Sequence, residues 1–279
     1  MASMPVQAVP WALRLAPPFP SVAQRIITTV SREDSALSDV GALVKRDPSF
    51  SADLLRFANS AMFRVRQEVR SIPHALMLVG ADRVKAMAVL VVLNRMVQPA
   101  LRIESLRKVW LHSLATALIA EQAGRAFRVP KDTAYTIGLL HNLGTLCLMA
   151  SHPEAYNRMI EVSDEFGFDL LQAEHDLFDI NHCDAGEYLA REWCFPDLLV
   201  SAISTHHADP VEGERSAANL ARISWRVADT LGHAAFARDR EWSYDELMAF
   251  VPEAANDWLK DEPEAVANEL SERLSQAPF

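Results

Sequence analysis

Two stretches of this 279-residue chain are apolar nearly all the way round a helix, and this constrains the fold more than any other feature. Ala81–Val97 is almost free of polar residues between its charged ends. Residues 137–150 (IGLLHNLGTLCLMA) are apolar or glycine at nearly every position. Such helices have no face to give to water, so other helices must wrap around each of them. Strands are not expected, because no run of four to eight residues alternates apolar and polar. Only 9 glycines are present, too few for a chain built on tight β-turns. The longest uninterrupted apolar run, residues 86–93, is far short of the roughly 20 residues of a membrane span. The expected class is all-α.

Local signals supply the boundaries. Asp47-Pro48 is a helix start, an N-cap acid followed by proline in the first turn. Ser71 caps a short helix that Gly80 closes as a left-handed C′ residue. Leu106, Val109, Trp110, Leu114, Ala117 and Leu118 mark one helix, and Val129-Pro130 breaks the chain. A single helix is expected over 132–150, followed by Pro153–Phe166, Leu170–Phe178, 182–193, 196–206 and 216–231. The segment after Trp242 is acidic and amphipathic, suited to pack as a C-terminal cap.

Net charge is −10, but it is unevenly spread. Through residue 110 there are 15 Lys and Arg against 8 Asp and Glu; the rest holds 12 against 29. The halves thus carry +7 and −17, which suits either docking of one part on the other or an anionic partner for the first. Arg56, Arg64, Arg66 and Arg70 lie around Phe57 and Phe63, a mixture that nucleic-acid surfaces use. A solvated face accounts for such arginines better, and nucleic acid is disfavoured as a partner. Three cysteines without paired spacing (Cys147, Cys183, Cys194) point to a reducing compartment. With five prolines and no basic-then-apolar leader in the first twenty residues, a cytoplasmic protein is expected.

The informative residues are polar exceptions within apolar helices. His141, Asn142 and Thr145 interrupt residues 137–150 at i, i+1 and i+4, one face of the expected helix. Buried polar groups need partners. Candidates are His112, mid-helix; His182, at a helix start where the dipole favours the neutral imidazole; and His206 and His207, ending an apolar stripe. Asp229 lies beside the apolar face of Ile223, Val227 and Leu231, or else pairs on the surface with Arg226. Imidazoles with a carboxylate suit iron, manganese or zinc, and a bound cation can activate water against phosphate esters.

In this order, His112, His141-Asn142, His182, His206-His207 and Asp229 resemble the metal ligands of HD-superfamily phosphohydrolases, especially the HD-GYP branch. The stretches RDPSFSADLLRFANSAMF, SIPHALMLVGADRVKAMAVLVV, WLHS, GLLHNLG and HCDAGEYLAREWCFPDLLVSAISTHH are similar to the HDOD (HD-related output) domain of bacterial signalling proteins. The resemblance implies an N-terminal helical subdomain packed on an HD-like helical bundle. Residues 1–14 would then be a tail, 15–103 the subdomain, 104–235 the bundle and 236–279 an acidic helical extension. It further implies a regulatory role; with only short tails flanking the domain, a stand-alone module is expected that binds a signalling or transcription-regulatory protein in trans, with no membrane and no required cofactor.

One departure weighs against catalysis. HD enzymes carry Asp directly after the histidine, where this chain has Asn142. A carboxylate can bridge two cations, whereas a neutral amide offers one carbonyl oxygen. Thr145 replaces the lysine common in HD-GYP motifs, and the GYP signature is absent. Six of seven ligand-like positions remain, so one iron, manganese or zinc ion could still bind. The alternative is a metal-dependent phosphohydrolase or phosphodiesterase acting on a nucleotide or cyclic dinucleotide.

Overall fold

The computed structural model describes residues 9–16, 24–25, 41–42, 44–45, 48–60, 68–236, 240–252, 257–260 and 262–276. Among these there are thirteen α-helices and no strand: α1 (Pro48–Ala58), α2 (Ile72–Val79), α3 (Ala81–Val97), α4 (Glu104–Ala123), α5 (Lys131–Leu140), α6 (Leu143–Ser151), α7 (Pro153–Phe166), α8 (Leu170–Phe178), α9 (His182–Glu192), α10 (Asp197–Thr205), α11 (Ala217–Ala228), α12 (Tyr244–Phe250) and α13 (Pro263–Ser275). None of them is long and apolar enough to cross a membrane.

The two all-apolar stretches lie at the centre. Residues 86–93 of α3 are each no more than 2% exposed, and α3 packs against α1 and α2 on one side and α5 and α6 on the other. Helix α4 runs through the larger bundle, flanked by α5 and α11, while α6 packs on α9 and α9 on α10. Trp110 of α4, Tyr135 of α5 and Tyr156 of α7 are fully buried. Helix α13 returns to α4 and α12 to α11, so the acidic C-terminal helices lie on the bundle.

Local signals explain most boundaries. The Ser71 hydroxyl accepts from His74 N–H at the start of α2, as expected of an N-cap. Gly80 has the positive φ expected of it (83°), but its ψ of 169° takes the chain into a glycine-only extended conformation rather than the left-handed helical one. Asp47, Phe63, Arg64 and Arg66 lie outside the described residues. Of their neighbours, Phe57 is core, Arg56 pairs with Asp53 and Arg70 with Glu68.

One expectation is corrected. Residues 132–150 form two helices, broken at His141-Asn142, where Asn142 takes φ −94° and ψ 25°. That is the sparsely populated bridge region used in turns. His141, Asn142 and Thr145 therefore do not share one helix face.

Close approach of backbones sets the positions of α5 and α6. A Cβ on Gly138 would lie 2.6 Å from Ala117 Cα and from Thr116 O, so α5 meets α4 without a side chain between them. A Cβ on Gly144 would overlap His182 O and lie 2.7 Å from Gly186 N, so α6 meets the start of α9 in the same way. Gly144→Ala is expected to destabilise the protein by about 2 kcal/mol or more, because backbone rather than a flexible side chain must give way. Urea denaturation would check this; a variant of wild-type stability would contradict the close approach.

Candidate metal centre

His141 ends α5 in helical conformation, and the Gly138 contact holds α5 near enough to α4 for His141 to meet His112. Their ring centroids are 5.4 Å apart. His206, one residue past α10, lies 5.1 Å from His141 on its other side. His182, first residue of α9, and His207 complete the group, with centroids 4.6–5.2 Å from His206. Four of the five are 3% exposed or less; His207 is half-buried.

The ring hydrogens are fixed by what the other nitrogen faces. His141 Nδ1–H donates to Gly138 O at 2.6 Å, and His206 Nδ1–H to Ile203 O at 2.7 Å. His112 Nδ1–H donates to His233 O at 3.0 Å, with Asp229 Oδ1 at 3.3 Å. His182 Nδ1–H donates to Glu174 Oε2 at 2.7 Å. A carbonyl can only accept, so Nδ1 of His112, His141 and His206 carries the hydrogen and their Nε2 atoms keep a lone pair, while Glu174 takes the Nδ1–H of His182. This is the orientation that metal-binding histidines adopt.

Those lone pairs converge. His182 Nε2 lies 3.0 Å from His207 Nε2 and 3.2 Å from His206 Nε2. Neutral nitrogens facing one another at that range repel unless a proton or cation lies between them. Ligand nitrogens about 2.0–2.1 Å from one ion, at tetrahedral to octahedral angles, stand roughly 2.9–3.4 Å apart, which matches the observed spacing. His141 Nε2 is buried with no hydrogen-bond partner among the described residues. Cys183 adds a buried thiol, and the ligand atoms of His182, Cys183, His206 and His207 all lie within 4.8 Å of one another. The residues present fit a divalent cation, which would supply Lewis-acid polarisation of a bound oxygen.

Electrostatics separate the histidines. Burial, reinforced by neighbouring imidazoles, holds His141, His206 and His207 well below the ordinary histidine range, hence neutral. Burial also opposes charge on His182, but the Glu174 carboxylate outweighs it and raises the imidazole well above that range. Glu174 therefore favours a proton on His182 Nε2, where the helix dipole alone favours the neutral ring, and a cation must displace that proton to bind there.

All seven candidate residues meet one neighbourhood. His112, His141, Asn142, His206, His207 and Asp229 line a cavity of about 270 Å³, with His182 behind His206 and His207. Asn142 is 3% exposed. Asp229 does not sit on the surface of α11: the helix ends at Ala228, and a wider turn over Asp229–His233 aims the carboxylate at His112.

Sequence reasoning missed the residues that hold the ligands. Glu174 is completely buried; its Oε2 accepts both the backbone N–H and Nδ1–H of His182, while Tyr156 O–H donates to its Oε1. A signal existed, since Glu174 sits at helical spacing between Leu170 and Phe178 on the buried stripe of α8. On α11, Trp225 Nε1 donates to His206 O at 2.7 Å and Arg226 donates to His207 O at 2.9 Å, fixing the turn that carries both histidines. Burial lowers Arg226 to about 10.

Known proteins are similar to this chain in sequence and fold. The HDOD domain family matches residues 16–209. An uncharacterised protein of Treponema pallidum is 26% identical over 196 residues, which cover 70% of this chain and 38% of the relative, so the chain spans well under half of that protein's length. An HDOD domain protein of unknown function from Geobacter sulfurreducens superposes with TM-score 0.71 at 20% identity, over 94% of this chain and 91% of the other. A Shewanella amazonensis protein named for a proposed phosphohydrolase activity gives TM-score 0.68 at 21% identity, over 95% and 96% of the two chains. Both structural likenesses show a common helical fold.

Proposed function

The chain belongs to the HDOD domain family, and from that premise we propose that it is a non-catalytic regulatory protein that acts by binding a signalling or transcription-regulatory partner. The observation that carries this reading is Asn142, a buried amide on the cavity wall beside His141. A two-cation phosphohydrolase needs an anionic group there to hold both ions, and a neutral amide cannot serve. With Mn²⁺ or Fe²⁺ supplied, the purified protein is expected not to hydrolyse cyclic dinucleotides or nucleotides. Metal-dependent turnover that disappears in His206→Ala would overturn the reading.

A second reading, a metal-dependent phosphohydrolase, is favoured by the converging imidazoles. The two readings differ in what Asn142→Asp should do. Under the first, the substitution raises bound metal per chain, measured by elemental analysis after purification without chelator, because charge is restored where an amide stands. Under the second, the wild-type protein already carries its full metal complement and gains none.

A further inference from the structure

The end of α7 presents two large aromatic rings to solvent. Phe166 is 63% exposed and Phe168 54%, and they stack with centroids 5.9 Å apart. Gly167 between them takes the left-handed conformation (φ 68°), and Ser163 O accepts from both Gly167 N and Phe168 N. The helix end is therefore closed by a defined turn, which holds the rings in place before any partner arrives. Val162, one turn back, is also exposed. The two rings together offer on the order of 200 Å² of apolar surface, large for a feature with no internal contact to satisfy.

The chain on either side of the rings is rich in acids, with Arg158, one turn before Val162, as the nearest cation in sequence. From Met159 to Ile180 there is no lysine or arginine, whereas Glu161, Asp164, Glu165, Asp169, Asp176 and Asp179 are all exposed. An aromatic anchor flanked along the chain by Glu161, Asp164, Glu165 and Asp169 is complementary to an apolar residue flanked by cations. Asp169, Leu170 and Leu171, directly after the anchor, form part of the cavity wall, so this surface adjoins the histidine site.

We propose that the α7–α8 turn is the docking surface for a lysine- or arginine-rich amphipathic helix of a partner protein, with Phe166 and Phe168 as its anchor. The assignment rests on the partner-binding reading above and names the chemistry of that partner. A second copy of this chain is the poorer occupant, although residues 1–110 carry net +7. Joining unlike faces of identical copies gives a head-to-tail contact, which propagates unless its geometry happens to close.

The probe is a synthetic amphipathic helix of leucine and lysine, followed by fluorescence anisotropy and hydrogen exchange on the full chain. Protection is expected over residues 162–171. Affinity should fall at least tenfold for Phe166→Ser/Phe168→Ser, for Asp164→Lys/Glu165→Lys, and for a peptide with serine in place of leucine. Phe166→Ser/Phe168→Ser alters exposed side chains and should keep the wild-type melting temperature. Undiminished binding by the Phe166→Ser/Phe168→Ser protein, or protection elsewhere, would overturn the surface assignment while leaving partner binding standing. Self-association that the same variants abolish, without peptide binding, would assign the surface to a second copy instead. Metal-dependent hydrolysis of a cyclic dinucleotide would count against the partner-binding reading and not against the patch.

Discussion

Glu174→Gln is expected to fold and to bind a divalent cation about 10–100-fold more weakly than the wild-type protein. The carboxylate holds His182 by two 2.7 Å hydrogen bonds, one from the backbone N–H and one from Nδ1–H, so it fixes both where the ligand starts and how its ring is turned. Glutamine keeps the shape and can present its carbonyl oxygen to His182, but it removes the charge that makes the imidazole a stronger ligand. Competition against a chromophoric chelator for Zn²⁺ or Mn²⁺ would read the change; unaltered affinity would place the metal away from His182. Glu174→Ala should be worse. It leaves three buried donors (Tyr156 O–H and the two of His182) without their acceptor, at about 1–3 kcal/mol for each buried group. The pH dependence has a definite sign. Because Glu174 raises His182, the stabilisation of its charged form is fully present below the unfolded value of about 6.5 and is lost as pH rises through the folded value. A metal competes for the same Nε2, so affinity should increase with pH in the wild-type protein.

The fold was legible where one physical requirement dominated. Ala81–Val97 has no polar face, so it had to be central, and it is. The break at His141-Asn142 was not legible, because a polar triplet at i, i+1 and i+4 looks like one helix face whether or not the helix continues. What ends α5 is the backbone conformation of Asn142, which periodicity does not report. The histidines stood out because imidazoles are costly to place in apolar helices without a task. Arg226 and Trp225 did not stand out: they act by donating to the backbone carbonyls of His206 and His207, contacts that exist only once α10 and α11 pack together. Glu121 was hidden for a similar reason. In the sequence it is one acid near the end of a long helix, and its three basic neighbours come from separate segments.

Those neighbours make Glu121→Ala strongly destabilising, by about 3–5 kcal/mol. The Glu121 side chain is 1% exposed. It accepts from Arg83 of α3 and, at 3.3 Å, from Arg273 of α13, and Lys131 Nζ at the start of α5 lies 3.9 Å away. Removing the carboxylate would take its charge away from two guanidinium groups, 14% and 6% exposed, in a poorly hydrated site. Lys131 is mostly exposed and adds little. Arg83 also donates to Asp132 at 3.1 Å, so the loss should fall more heavily on α13 than on α3. Since whole-protein stabilities are about 5–15 kcal/mol, the variant would lose a large share of its margin, measurable by guanidinium denaturation. Glu121→Leu combined with Arg273→Met should be more stable than Glu121→Leu alone, because the second change removes one of the buried charges left behind. The damage should also reach the histidines. Helix α13 packs on the turn over Asp229–His233, and His233 O is the acceptor that orients His112. Hydrogen exchange in Glu121→Ala should therefore accelerate first over Pro263–Ser275 and then at that turn. Faster exchange confined to α3 would show that Arg83, rather than Arg273, depends most on this carboxylate.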